Sequence, residues 1–472
     1  MANVRLMDPE QKRTYMLSTP MARLIPAMAI PTITSMMISS VYSLADTYFV
    51  STLGTNATAA VGINSGIDNI ITMAGSFIAA GASSYISRLL GAKKDDHANR
   101  VASTAFFTCI LTGTLILILG LIFAEPLVRL LGATDLILSY TLDYAQYIFF
   151  AAPFMASSFV LVNCLRAEGS STLAMIGMST SAVLNIILDP IFILKFGWGV
   201  AGASAATAIS KFVSFCVMLI PFIRRRTLLH IHPKHISYTK DVVPEVLKMG
   251  SPSLFRTGLN ALSAIVLNRV AAGYGESTLA AISVCNRIMM LPFSVCLGLG
   301  QGYQPVNGFS VGARRWDRVK NGFRTASFIS VGSLLVISAV VFIFARQVIG
   351  LFTEADEQLL RIGIFDLRLQ CAALPLHAWV VIVNFFCVSS GKAVSGSLLS
   401  MSRQGLCFFP ILPVMTALWG AWGVAALQAV ADTLTLFIAI PIMVKAIREI
   451  RRFEAEDAAA DTAGPRLPQA EG

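Results

Sequence analysis

Leu90-Gly91-Ala92-Lys93-Lys94 returns 221 residues later as Val311-Gly312-Ala313-Arg314-Arg315. The same shift carries Pro31 onto Pro252, Gly54 onto Gly275, Asp135 onto Asp356 and Asn163 onto Asn384, without a gap over more than 100 residues. Near the end of each half it drifts to 224, where Trp198-Gly199-Val200 meets Trp422-Gly423-Val424. A period of this length means that one structural unit occurs twice. Working outward from the repeat, about twelve apolar runs long enough to span a bilayer lie between residues 22 and 447, six in each half. Six is even, so the halves share one orientation and are related by an axis along the membrane normal.

Composition agrees. Of 472 residues, 55% are hydrophobic and 13% charged, and the mean hydropathy is +0.70. Soluble domains carry about 25% charged residues, so this chain cannot cover an aqueous surface. The fold expected is an all-α polytopic membrane protein of about twelve transmembrane helices in two pseudo-symmetric six-helix bundles. Residues 1–21 form an N-terminal segment, 22–223 the first lobe, 224–249 a linker, 250–447 the second lobe and 448–472 a disordered tail. The net charge of +10 reports orientation rather than nucleic acid. Lys93, Lys94 and Arg100, Arg224 to Arg226, Arg314, Arg315, Arg318 and Lys320 all follow even-numbered runs, which puts both termini in the cytoplasm. The first run carries no cleavage pattern and is read as a retained helix.

Metal and redox chemistry find little support. The eight cysteines lie in or beside apolar runs, never as Cys-x-x-Cys, and read as small apolar side chains. His230, His232 and His235 sit in the basic linker without cysteine or acidic neighbours, so no metal and no cofactor is expected. No nucleophile and base cluster and no phosphate loop appears, and the chain is not read as an enzyme.

Charges at bilayer depth are more informative. Each costs about 2.5–3.5 kcal/mol on insertion scales and is a functional candidate by default. Asp46 and Asp189 each stand eight residues before an outer turn, and Thr207 eight after one, which places all three about 12 Å inside the outer face. Ser35, Ser39 and Tyr42 precede Asp46 at helical spacing; Ser181 and Asn185 precede Asp189 likewise. Both acids therefore head polar stripes that face a cavity or another helix. The repeat offers a control: Asp46 corresponds to Leu267, Asp189 to about Leu412 and Asn185 to about Phe408, so the second copy folds without them. In that copy Arg287 and Asp432, of opposite sign at similar depth, are read as a possible ion pair. Lys211 lies one turn below Thr207, near mid-membrane, and Pro190 breaks the hydrogen-bond ladder beside Asp189.

Several stretches together carry a resemblance: Tyr42-Ser43-Leu44-Ala45-Asp46-Thr47-Tyr48-Phe49-Val50, Leu53-Gly54, Ala59-Ala60-Val61-Gly62, Leu90-Gly91-Ala92, Leu165-Arg166-Ala167-Glu168-Gly169, Asn185-Ile186-Ile187-Leu188-Asp189-Pro190 and Gln301-Gly302-Tyr303-Gln304-Pro305. Over roughly residues 15–450 the chain resembles the multidrug and toxic compound extrusion (MATE) transporters. The resemblance implies two lobes around a V-shaped cavity, and export of cationic amphipathic compounds in exchange for H⁺ or Na⁺. The pattern is closest to the proton-linked branch of DNA-damage-inducible F proteins. That branch's coupling site falls on Asp46, Asn185, Asp189 and Thr207, with a fourth-helix tyrosine on Tyr144. The glutamate of the NorM-type seventh helix is absent, since no acid lies between Ser251 and Ala272. Lys211 departs from the apolar residue implied at its position. A substrate cavity is expected around Ser35, Ser39, Tyr42, Met178, Ser181 and Lys211. The partners expected are small cationic molecules and the lipid bilayer of a bacterial cytoplasmic membrane, with the protein a monomer. A flippase for lipid-linked intermediates and a passive channel are the alternative readings.

Overall fold

The computed structural model describes residues 9–352 and 356–462; residues 1–8 of the expected N-terminal segment and 463–472 of the expected tail lie outside them. A short helix α1 (Pro9–Ser18) precedes α2 (Met21–Ser51), α3 (Thr55–Gly91), α4 (Asp95–Ile122), α5 (Ala124–Leu130), α6 (Leu138–Ala167), α7 (Ser171–Pro190) and α8 (Gly199–Ile223). After the linker come α9 (Val243–Gly273), α10 (Glu276–Gly312), α11 (Trp316–Ile343), α12 (Ala345–Gly350), α13 (Glu357–Ser389), α14 (Ala393–Met401) and α15 (Phe408–Thr462). Among the described residues ten segments are apolar and long enough to cross a membrane, the last of them extending from Ala393 to Ala459. Within that stretch Gly420 takes φ 54° and ψ −128°, a break that separates two crossings. With the more polar α9 the total is twelve crossings, six per lobe.

The repeat is visible in the backbone itself. Gly54 and Gly275 take φ 102° and 109° at equivalent turns, a conformation that costs glycine little. Lys93 and Arg314, also equivalent, both adopt positive φ although neither is glycine. The two short helices α5 and α12 begin one repeat apart, at Ala124 and Ala345.

The motif that reveals the repeat is also where the lobes touch. A Cβ on Gly91 would fall on the carbonyl of Phe309, and one on Gly312 on the carbonyl of Arg88. Each glycine thus lets α3 and α10 approach to backbone contact, the small-residue packing that membrane helices favour. Nearby, Arg88 pairs with Glu245 at 2.9 Å and the Ser84 hydroxyl donates to the Val388 carbonyl at 2.6 Å. Moving toward the outer turns, the last inter-lobe hydrogen bond among the described residues joins Ser40 and Ser294, near mid-membrane. The lobes are therefore closed on the side of the basic loops.

Two boundaries differ from the sequence reading. The tail expected to be disordered from residue 448 continues α15 as helix to Thr462; Trp316 Nε1 and Arg314 both bond Asp457, while Lys320 holds Glu454 at 2.8 Å. These basic and aromatic anchors on α11 offset the entropy that leaves an acidic, alanine-rich segment free. The linker expected over 224–249 ends sooner, since α9 begins at Val243, and it is packed in: Leu229 is fully buried, and Lys12 reaches Glu168, Ser170 and the Arg226 carbonyl in one buried knot.

Valine at Gly91 or Gly312 must push two backbones apart, and overpacking of this kind costs about 1–3 kcal/mol. Thermal unfolding in detergent should show both variants destabilised, whereas Gly332→Val, with nothing within 4 Å of its new Cβ, should match the parent.

Candidate functional site

Three helices of the first lobe bring their polar stripes together. α7 ends at Pro190, which has no N–H to give to Ile186, and the chain widens into a π turn over Ile191–Lys195. That loosened end carries Asp189, fully buried, within hydrogen-bonding reach of Asp46 on α2. One turn earlier Asn185 lies beside Asp189, and its Nδ2 donates to Thr207 Oγ1 of α8 at 3.0 Å. Tyr42, one turn before Asp46, lies close to the same Thr207. Tyr144 of α6 is buried close enough to feel the charge of both acids.

A third acid joins them that the sequence reading passed over. Asp68 of α3 lies near both Asp46 and Lys211. Its signal was present in the chain: it is the sole acid in the span from 58 to 86. Of the cluster's oxygens, Asp46 Oδ1, Asp68 Oδ1 and both of Asp189 are buried with no donor aimed at them. Three carboxylates against one lysine leave the site short of positive charge. Ionised together at such range they repel, and a bound proton or small cation relieves the repulsion.

Below this cluster opens a cavity of about 250 Å³ lined by both lobes. Of the residues expected there, Ser39, Met178, Ser181 and Lys211 line it, as do Arg166, Arg256, Gln301 and Gln304. Ser35 and Tyr42 do not. Ser35 is buried and donates to the Thr32 carbonyl at 2.8 Å, while Tyr42 turns toward Thr207 and the acids. Lys211 Nζ stands 5.9 Å from the centre of the Tyr42 ring, between cluster and cavity.

The second lobe corrects another expectation. Arg287 is exposed, and Asp432 pairs instead with Arg403, whose Nε and Nη2 donate to it at 2.6 and 3.3 Å. His377 Nδ1 is 3.6 Å from the same carboxylate, and the Gln428 amide donates to it at 3.3 Å. Arg403 comes from a π turn over Ser402–Leu406. Depth along a helix is readable from residue counts, but which basic residue turns toward an acid is not. This acid is answered; those of the first-lobe cluster are not. In the linker, His232 Nδ1 accepts from the Lys234 N–H, and among the described residues no group of three His, Cys, Asp or Glu side chains is placed to hold a metal.

Two helical lobes around a shared cavity, with a cluster of unpartnered buried acids in one of them, define a membrane transporter and not an enzyme. The MatE family model matches the chain twice, over residues 31–191 and 252–414, one match per lobe. The chain belongs to the MatE family. It is 28% identical over 416 residues to the Multidrug export protein MepA of Staphylococcus saprophyticus, covering 88% of this chain and 92% of that protein. To the protein of the same name from Staphylococcus aureus (strain N315) it is 28% identical over 436 residues, covering 92% and 96%. Its fold superposes with TM-score 0.88 and 25% identity on an outward-facing conformation of a multidrug resistance MATE family transporter, over 93% of this chain and 98% of that one. A MOP superfamily transporter from Pyrococcus furiosus gives TM-score 0.86 at 26% identity over 93% and 98% of the chains; it is described as having a binding pocket of reverse polarity that suggests a different function.

Removing Arg403 strands Asp432, whose side chain is 5% exposed. Losing one partner of such a pair costs about 3–5 kcal/mol. Arg403→Leu should therefore lower the unfolding temperature sharply, and Arg403→Leu with Asp432→Leu should recover most of the loss.

Proposed function

We propose that the chain is a secondary active exporter of amphipathic small molecules, driven by antiport of H⁺, or alternatively Na⁺, through the first-lobe acids. The observation that carries this reading is the meeting of Asp46 and Asp189, from helices far apart in sequence, with buried oxygens that no donor serves. The relatives named as multidrug export proteins support export of varied substrates as the task. The equivalent second-lobe positions, Leu267 and about Leu412, lack acids, so the scaffold itself does not require them.

Mechanistically, the cluster's charge state selects the packing of α2 and α7. With Asp46, Asp68 and Asp189 ionised, mutual repulsion loosens the two helices at their weak points, Pro26 and Pro31 in α2 and Pro190 in α7. Protonation removes that repulsion and lets the polar stripes close, with Asn185 and Thr207 holding the register. Binding of the ion to one packing more tightly than to the other shifts the balance between outward and inward openings. Lys211, between cluster and cavity, relays the state of the acids to the cargo. A proton moving down its gradient supplies about 1.4 kcal/mol per pH unit, and about 2.3 kcal/mol for each 100 mV of membrane potential. This suffices for concentrative export. In this reading the protein works as a monomer in a bacterial cytoplasmic membrane with both termini inside.

Asp46→Asn, Asp68→Asn and Asp189→Asn, reconstituted in vesicles with a panel of anionic and cationic dyes, test it. Asp46→Asn and Asp189→Asn should keep gradient-free dye binding, and in all three variants export under an imposed pH gradient should fall roughly tenfold or more, about 1.4 kcal/mol of lost coupling. Undiminished gradient-driven export by Asp46→Asn or Asp189→Asn takes that acid out of the mechanism.

A further inference from the structure

The cavity beneath the acids has a charge opposite to the one that suits a cationic cargo. Its wall holds Arg166 from α6, Lys211 from α8 and Arg256 from α9, and among the described residues no aspartate or glutamate lines it. Nor do these cations find carboxylate partners close by. Glu168, two residues from Arg166, is occupied by Lys12, Ser170 and the Leu228 N–H. Arg166 spends Nη1 on the Gln301 amide oxygen at 2.5 Å and Nη2 on the Met178 thioether at 3.2 Å, a weak acceptor. Its Nε is buried without an acceptor, although the residue is only 6% exposed. On the same wall Gln304 Nε2 is a second buried donor with nothing to accept from it. Arg256 makes one long contact, 3.5 Å to Ser253 Oγ, and lays its guanidinium 5.7 Å over the Phe385 ring. Lys211 alone has an acid near, Asp68.

A larger cavity of about 610 Å³ adjoins this one and shares Arg256 and Phe385 with it. There Arg403 is neutralised by Asp432. Arg256 therefore stands without a carboxylate where the two cavities meet, and Arg166 and Lys211 line the smaller one. Desolvated cations without counter-ions, and buried donors without acceptors, are both costly. An acceptor-rich anion satisfies them together, and the guanidinium fork suits carboxylate, sulfonate or phosphate oxygens. Around these groups Met36, Met155, Phe159, Met178 and Met218 supply an adaptable apolar wall.

We infer that this cavity binds organic anions, with an apolar body against the methionines and one acidic group held by Arg166 and Arg256. The inference rests on the exporter reading for what happens next: an anion leaves with the membrane potential, negative inside, while the coupling proton enters with it. Lys211, which lines the cavity and lies within the field of Asp68, is then near both, so cargo and acid cluster compete for a single positive charge.

The test is equilibrium binding of carboxyfluorescein and of ethidium to the full chain in neutral phosphatidylcholine nanodiscs, without any gradient. Carboxyfluorescein should bind roughly tenfold tighter than ethidium or better. Arg166→Gln and Arg256→Gln should each weaken it by a similar factor, while Arg256→Lys keeps most of the affinity, which separates charge from packing and from misfolding. Tighter binding of ethidium, or carboxyfluorescein binding unchanged in both glutamine variants, overturns the inference. Phosphatidylglycerol added to the nanodiscs sorts the source: displacement of the dye keeps the anion site and assigns it to a lipid headgroup, and no displacement assigns it to soluble anions. The two readings fail separately. Anion binding with no proton-driven efflux removes the coupling and leaves the site; proton-driven efflux of ethidium alone does the reverse.

Discussion

The organising constraint is the cost of holding carboxylates inside a bilayer. Each charge placed at the centre of a spanning helix is worth about 2.5–3.5 kcal/mol against insertion, and the first lobe holds three within one cluster. The molecule answers this cost differently in its two halves. In the second lobe Asp432 is bonded by Arg403 and Gln428 and flanked by His377, so its charge is settled once the chain folds. In the first, four carboxylate oxygens of Asp46, Asp68 and Asp189 have no donor, and one lysine stands nearby. Buried charge that is not settled by folding is free to be settled by something that comes and goes.

Around that asymmetry the scaffold is symmetric. Equivalent turns, equivalent positive-φ residues and equivalent interface glycines recur at one repeat distance. Contact between α3 and α10 at Gly91 and Gly312 closes the side bearing the basic loops, and the inter-lobe hydrogen bonds stop near mid-membrane at Ser40 and Ser294. In the proposed mechanism the two bundles act as a bistable pair, and a small change in how α2 and α7 pack in one of them biases it. The prolines and the π turn beside Asp189 put the least regular backbone next to the least settled charge.

Much of this was legible in the chain. Apolar length and the repeat place twelve crossings in two lobes, because both depend on counting along one dimension. The meeting of Asp46, Asn185, Asp189 and Thr207 was legible for the same reason: equal distances from the outer turns give equal depth, and helical spacing gives a common face. What counting cannot supply is rotation about each helix relative to its neighbours. Ser35 shares a stripe with Asp46 yet is buried on its own turn, Tyr42 looks at Thr207 instead of the cavity, and Asp432 meets Arg403 rather than Arg287. Asp68 was within reach of the same reasoning, since Asn64, Thr72 and Ser76 stand at helical spacing around it, and was passed over. The helical extension of α15 to Thr462 depends on α11 anchors that local composition does not reveal.

The measurement that bears most directly on the central claim is the separation of the two outer rims as a function of pH. Spin labels on cysteines introduced at Thr55 and Glu276, both exposed, in a background lacking the half-buried Cys216, report it by electron–electron distance. The account predicts a distance distribution that shifts between acid and alkaline buffer in the native protein and is frozen when Asp46, Asp68 and Asp189 are all replaced by asparagine. A shift of the same size in the triple variant would contradict it.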